Sequence, residues 1–227
     1  MPDLLPCVEV EPREARVIAR ASVIWLHGLG ADGHDFEPVV PMLQTRAVRY
    51  VFPHAPALAV TINGGYVMPA WYDIRSLDFD DPDREDEAQI AESTRQIELL
   101  IARERLRGIP SDRIVLAGFS QGAAMAMHVG VRHANTLAGL VVLSGYLVCA
   151  DRFAAERSAV NLATPVLQCH GRFDDVVPIA AGRDAHAELQ RTATPGTPLS
   201  WHDYAMAHEV CPEELEVIGA WLRARLD

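Results

Sequence analysis

The sequence predicts an α/β domain in which a mainly parallel β-sheet is covered by helices on both faces. Three observations predict it. Short apolar runs of strand length alternate with segments of helical periodicity, the pattern of repeated strand–helix–strand units. The runs at Ala21–Leu26, Arg113–Ala117, Leu137–Leu143 and Thr164–Cys169 are largely apolar rather than apolar at every second residue, as strands buried on both faces must be. Each gives way to a glycine-bearing stretch, His27-Gly28-Leu29-Gly30, Gly118-Phe119-Ser120-Gln121-Gly122, Ser144-Gly145 or His170-Gly171. Those stretches fall at strand carboxyl ends, where open sheets of this kind place their sites.

Taken in order, residues 7–20 supply a starting strand or two, with Cys7-Val8-Glu9-Val10 alternating. Ala21–Leu26 is a buried strand. Asp32 or Asp35 then opens a helix through Gln44, carrying Phe36, Val39, Val40 and Leu43 at helical spacing. Val48–Phe52 is the next strand, stopped by Pro53 and Pro56. Val60-Thr61-Ile62 and Tyr66-Val67-Met68 form a hairpin turned at Asn63-Gly64-Gly65. A long helix is expected from about Asp83 to Arg107, with Ile90, Ile97 and Ile101 on one stripe and Gly108 at its end. Arg113–Ala117 is strand, and Ala123–Val129 is an apolar, inward-packed helix. Leu137–Leu143 and Thr164–Cys169 are strands, Ile179–Gln190 is a helix, Leu199–Tyr204 is a strand with a polar face, and Pro212–Leu226 is the last helix.

No repeat, low-complexity tract or linker divides the 227 residues, so one domain spanning 1–227 is expected. A domain of this size buries roughly 70% of its unfolded surface. With 31 acidic against 20 basic residues the formal net charge is −11, which repels phosphate backbones and anionic membranes, so nucleic acid is excluded as a partner. Part of that charge lies in Asp78–Glu87, which holds seven carboxylates. Its spacing matches no EF-hand and it lacks the central glycine, so it reads as a solvated loop running into a helix start. Cys7, Cys149, Cys169 and Cys211 are scattered without paired spacing, which supports neither zinc nor redox motifs. No window approaches the roughly 20 apolar residues of a membrane span, and the amino terminus lacks a basic region followed by an apolar stretch. Stable membrane insertion is therefore not expected, the setting is expected to be cytoplasmic, and a homodimer is left open.

The chemistry centres on Gly118-Phe119-Ser120-Gln121-Gly122. Alone, Gly-x-Ser-x-Gly is an ordinary strand–helix turn. Between a buried strand and an apolar helix it has the context of a nucleophile elbow, where a tight turn projects the serine and the helix directs free N–H groups toward it. A serine hydroxyl needs a base. Of nine histidines, His208 lies in the loop after the last strand, which fits the chain order serine, acid, histidine. The acid should follow a later strand, and His170-Gly171-Arg172-Phe173-Asp174-Asp175 offers two aspartates, one to hold the imidazole and one to begin the helix after Pro178. The residues alone leave Asp174 and Asp175 open. An oxyanion hole needs two donors. The N–H of Gln121 is one, and the N–H of Leu29, in the loop after Ala21–Leu26, is the other. A phosphate-binding reading of that loop is weaker, because neither Gly-x-Gly-x-x-Gly nor a Walker lysine is present.

Together His27-Gly28-Leu29-Gly30, Trp71-Tyr72-Asp73-Ile74, the serine pentapeptide, Leu143-Ser144-Gly145, His170-Gly171 with Asp174, and His208 resemble the α/β-hydrolase carboxylesterases that include acyl-protein thioesterases and lysophospholipases. The likeness covers nearly the whole chain. It implies an α/β-hydrolase fold without a large cap domain, selects Asp174 over Asp175 as the acid, and places the loop around Trp71 beside the acyl groove. Two departures stand out. Ala123 replaces a common glycine after the elbow, and Ala31 precedes Asp32 where thioesterases of this family place aspartate directly.

The expected activity is that of a serine carboxylesterase acting on a small-molecule ester or acyl substrate, with thioesters and lysophospholipids in the same chemical range. Ser120 is the nucleophile, His208 the base, Asp174 its orienting acid, Leu29 and Gln121 the oxyanion donors, and Trp71 a substrate-binding residue. No metal or organic cofactor is required. A serine peptidase of the same fold is disfavoured by the lack of a large cap. A non-catalytic binder is disfavoured because every catalytic element is retained.

Overall fold

The computed structural model describes residues 4–14 and 17–227. Its strands are β1 (Cys7–Val10), β2 (Ala21–Leu26), β3 (Val48–Pro53), β4 (Ala57–Val60), β5 (Tyr66–Pro69), β6 (Ile114–Phe119), β7 (Gly139–Leu143), β8 (Val166–Gly171) and β9 (Leu199–Tyr204). Seven of them form one sheet in the order β1-β3-β2-β6-β7-β8-β9, while β4 and β5 pair as a separate antiparallel hairpin. Only the β1–β3 pairing in the large sheet is antiparallel. The helices are α1 (Val40–Leu43), α2 (Glu87–Leu106), α3 (Gln121–Arg132), α4 (Phe153–Glu156), α5 (Ile179–Thr192) and α6 (Pro212–Leu226).

The uninterrupted apolar strands follow from a core on each side of the sheet. Ile24, Leu26, Leu116 and Val142 pack toward α2, α3 and α5. Their neighbours Val23, Trp25, Val115, Ala117, Val141 and Leu143 pack toward α1 and α6. Successive residues of a strand point to opposite faces, so both parities must be apolar. From β2 the chain moves outward to β3, then returns to lay β6 on the other side of β2. At such a reversal the loops after the two strands diverge and open a crevice at their carboxyl ends. His27–Gly30 and Ser120 are the residues that follow β2 and β6 at those ends.

Local chemistry moves several expected boundaries. The helix expected from Asp32 or Asp35 to Gln44 is only a 3-10 turn at Glu37–Val39 followed by the single turn α1. Pro38 and Pro41 have no N–H to sustain an i→i−4 ladder, Asp32 caps the His34 N–H at 2.7 Å in a turn of its own, and Gln44 ends the segment at φ 55°. Helix α2 begins at Glu87, not Asp83, with the Asp86 carboxylate capping the Gln89 N–H. Residues 84–86 are instead drawn into pairing with 73–75, through Arg75 N–H to Arg84 O at 2.7 Å and Asp86 N–H to Asp73 O at 3.2 Å. In the hairpin the first strand is Ala57–Val60, and Thr61–Asn63 forms a 3-10 turn held by Asp73, which accepts from the Thr61 N–H and hydroxyl. Of the early segment 7–20 only β1 is strand among the described residues, and Ala15 and Arg16 lie outside them. No helix among the described residues is long and apolar enough to cross a membrane.

Candidate active site

Ser120 stands between β6 and α3 at φ 55°, ψ −120°, a left-handed conformation that costs a non-glycine residue energy and that its surroundings must impose. Two glycines make the turn feasible by close approach. A Cβ on Gly118 would lie 2.3 Å from the Gly122 carbonyl oxygen, and one on Gly122 would lie 2.3 Å from the Leu26 oxygen. Strand, nucleophile turn and neighbouring strand therefore touch backbone to backbone. Ala123, where the resemblance leads one to expect glycine, fits because Gly145 faces it: a Cβ on Gly145 would come within 3.0 Å of the Ala123 methyl.

The structure brings the sequence-selected triad together. His208 Nε2 lies 2.9 Å from Ser120 Oγ, and His208 Nδ1 lies 2.7 Å from Asp174 Oδ2. The other carboxylate oxygen, Oδ1, accepts the N–H groups of Val176 and Val177 at 3.0 and 2.8 Å. Burial pushes the Asp174 pKa upward, but the bonds from His208 and these amides outweigh it and hold the carboxyl below its ordinary value. An ionised Asp174 accepts from Nδ1–H and leaves the Nε2 lone pair of His208 facing the serine hydroxyl. The Phe119 ring packs against the imidazole, with centroids 4.7 Å apart.

Asp175 is exposed, and the expectation that it begins the following helix is not met: Pro178 is the N-cap of α5 and no side chain caps it. Ser144, the other serine at a strand end, is 1% exposed and its hydroxyl has no hydrogen-bond partner among the described residues. It has no base to activate it.

The loop after β2 runs directly beside Ser120, where a Cβ on Gly28 would sit 3.5 Å from Ser120 Cβ. Gln121 is the first residue of α3, so its N–H has no intrahelical acceptor. Leu29 follows Gly28 in the same loop, which closes on itself through Ala31 N–H to Gly28 O and is tied to β5 through Gly30 N–H to Pro69 O. The bracing role of the side chains that hold this loop is not among the sequence expectations. His27 accepts the Ala55 N–H at Nε2, 3.0 Å, which leaves Nδ1–H to donate to Gly28 O at 2.7 Å. Burial lowers the His27 pKa and keeps the ring neutral in that tautomer.

Trp71, expected at the border of an acyl groove, is fully buried. Its indole N–H donates to His27 O at 2.9 Å, so it braces the loop after β2 from behind instead of presenting surface to a substrate. Gln121 holds the same stretch with its side chain, accepting from Trp71 N–H at 2.9 Å and donating to Tyr72 O at 2.8 Å. Ser93 completes the bracket by donating to Trp71 O. Ser93 interrupts the apolar stripe Ile90, Ile97, Leu100 and Ile101 of α2, and a polar residue on a buried stripe is the signal that could have found it. Among the described residues no three His, Cys, Asp or Glu side chains are grouped as metal ligands would be.

Comparison with known proteins identifies the family. A family model described as Phospholipase/Carboxylesterase matches residues 6–226. The acyl-protein thioesterase 1 of Cryptococcus neoformans is 36% identical over 242 aligned positions, covering 100% of both chains. That of Neurospora crassa is 38% identical over 219 positions, covering 91% of this chain and 87% of its own. Among solved structures, Zea mays acyl-protein thioesterase 2 superposes with a TM-score of 0.85 at 28% identity, covering 98% of this chain and 99% of that one.

Proposed function

The chain belongs to the phospholipase/carboxylesterase family and is a serine hydrolase of ester bonds; from that premise we propose that it is a carboxylesterase of dissolved short- to medium-chain esters, working through an acyl-Ser120 intermediate. One observation carries the reading: the unbroken relay from Ser120 Oγ through His208 to Asp174 at 2.9 and 2.7 Å, mounted on a turn with positive φ.

In this reading His208 Nε2 takes the hydroxyl proton as Ser120 Oγ attacks the substrate carbonyl. The charge on the former carbonyl oxygen is met by the N–H groups of Leu29 and Gln121, preorganised by the His27, Trp71 and Gln121 brackets, each donor being worth about 3 kcal/mol in comparable sites. Asp174 stabilises the imidazolium without taking its proton. His208 then protonates the departing alkoxide or thiolate, and the acyl-serine remains. A water, deprotonated by the same Nε2, attacks the acyl carbon, and collapse returns the proton to Ser120 and releases the carboxylic acid. Trp71 acts through the loop and not by touching substrate. The four free cysteines suit a reducing, cytoplasmic setting.

The acyl and leaving-group preferences are tested by kcat/KM on p-nitrophenyl esters from acetate to palmitate, a lysophospholipid and an acylated thioester. The expected optimum lies among butyrate to octanoate esters, with the thioester also cleaved. A strong preference for the lysophospholipid, or for palmitate over butyrate, would contradict the reading.

A further inference from the structure

His170 is the penultimate residue of β8, four positions before the triad acid, and is 1% exposed. The reaction as derived does not use it. Its Nε2 lies 2.8 Å from Val177 O, and a carbonyl only accepts, so Nε2 carries the proton. The same nitrogen is 3.5 Å from Asp174 Oδ2, the oxygen that accepts from His208. Burial lowers the His170 pKa; His208 from the loop after β9 and Arg183 from α5 act in the same direction, and the Val177 carbonyl and Asp174 on its own loop oppose them.

The bonds form a circuit. His170 holds the carbonyl of Val177, Val177 N–H holds Oδ1 of Asp174, and Oδ2 of Asp174 holds His208. The segment between β8 and α5 has no helix cap of its own to fix it, since Pro178 occupies the N-cap without a side-chain bond. The ring itself has no freedom. Trp201 stacks on it with centroids 6.0 Å apart and planes at 19°, and α5 approaches so closely that a Cβ on Gly182 would be 2.5 Å from Nδ1.

We propose that His170 is a positioning residue for the triad, its single ring N–H fixing the Val177 peptide and, through it, the carboxylate of Asp174 in register with His208. The same nitrogen lies 3.5 Å from Oδ2, close enough for its partial positive N–H to favour the carboxylate though it makes no hydrogen bond to it. The proposal rests on the assignment of Ser120, His208 and Asp174 as the triad.

The test compares the wild-type chain with His170→Phe, which fills the volume without a donor, and His170→Gln, whose amide nitrogen reaches the place of Nε2. With p-nitrophenyl butyrate, His170→Phe should lower kcat by about 10- to 100-fold, the scale of a small misplacement of catalytic groups, while KM stays within about twofold. The low-field proton resonance of the His208–Asp174 bond should move upfield or vanish. His170→Gln should restore most of kcat and the resonance. Gly182→Ala, which pushes on the ring from α5, should lower kcat without changing KM and serves if His170→Phe does not fold. Wild-type kcat and an unshifted resonance in His170→Phe, whatever its melting temperature, would overturn the proposal, as would a kcat loss that glutamine leaves unrepaired. Failure of the triad assignment has a separate signature: a fluorophosphonate would then leave Ser120 of the wild type unlabelled.

Discussion

Two adjacent aspartates of identical chemistry occupy opposite situations. Asp174 gives Oδ2 to His208 and Oδ1 to two backbone amides, whereas Asp175 is exposed. An asparagine at 174 offers an amide where the imidazole needs an acceptor and stabilises the wrong tautomer. Asp174→Asn should therefore cost on the order of 10⁴ in kcat, the size found for the corresponding change in a serine protease. Asp175→Asn should leave kcat within about twofold and stability within about 0.5 kcal/mol, as for a surface change away from any cap. Steady-state kinetics and thermal melts on both variants check the pair, and a larger kcat loss in Asp175→Asn would reverse the assignment. From residue types and chain order the two could not be separated, because what distinguishes them is burial and hydrogen bonding, which the residue letters do not carry.

At the scale of elements, the strands and the elbow were legible because each needs a local pattern: an apolar run, a glycine where backbones touch, a serine between them. The helix expected from Asp32 to Gln44 was not, because apolar spacing competed with Pro38 and Pro41 and the prolines won. The bracket of His27, Trp71, Gln121 and Ser93 was hidden for another reason. Its members come from four separate elements and meet only through tertiary packing. Helix α6 carries a comparable concealed feature. Glu214 in its first turn is buried, both carboxylate oxygens lack a partner among the described residues, and the Cys169 thiol and Tyr204 hydroxyl are its polar neighbours. Burial raises its pKa from 4.5 to about 8. The folded chain therefore holds this proton where the unfolded chain has released it. The stability tied to Glu214 is fully present below the unfolded pKa of about 4.5 and is lost as pH rises toward about 8. The upper bound of that loss is about 5 kcal/mol at 1.36 kcal/mol per pKa unit. Denaturant titrations at pH 5 and pH 8 should show Glu214→Gln gaining relative to wild type as pH rises. A difference independent of pH would contradict a protonated Glu214.

For the whole molecule, the question is access to the crevice between β2 and β6. The two long excursions over the strand ends are the hairpin with its acidic loop and the segment 146–163. The first exposes Tyr66, Val67 and Leu77 to solvent, and the second holds only short helical turns with Val160 outward. Neither is an amphipathic helix laid across the site, the form a lid that opens on lipid would take. Rate should therefore saturate with monomeric ester below its solubility limit, and triglyceride emulsions should be poor substrates. A jump in rate as substrate passes that limit would reveal a closing element. The overall architecture was readable at this scale, since the alternation of apolar runs with helical segments is a property of the whole chain.

The covalent role of Ser120 is tested most directly by intact-protein and peptide mass spectrometry after exposure to a fluorophosphonate. The expected result is one adduct per chain, mapped to Ser120, with ester hydrolysis lost in step with labelling and both absent in Ser120→Ala at unchanged circular dichroism. An adduct on the alanine variant, or undiminished hydrolysis by it, would contradict the assignment.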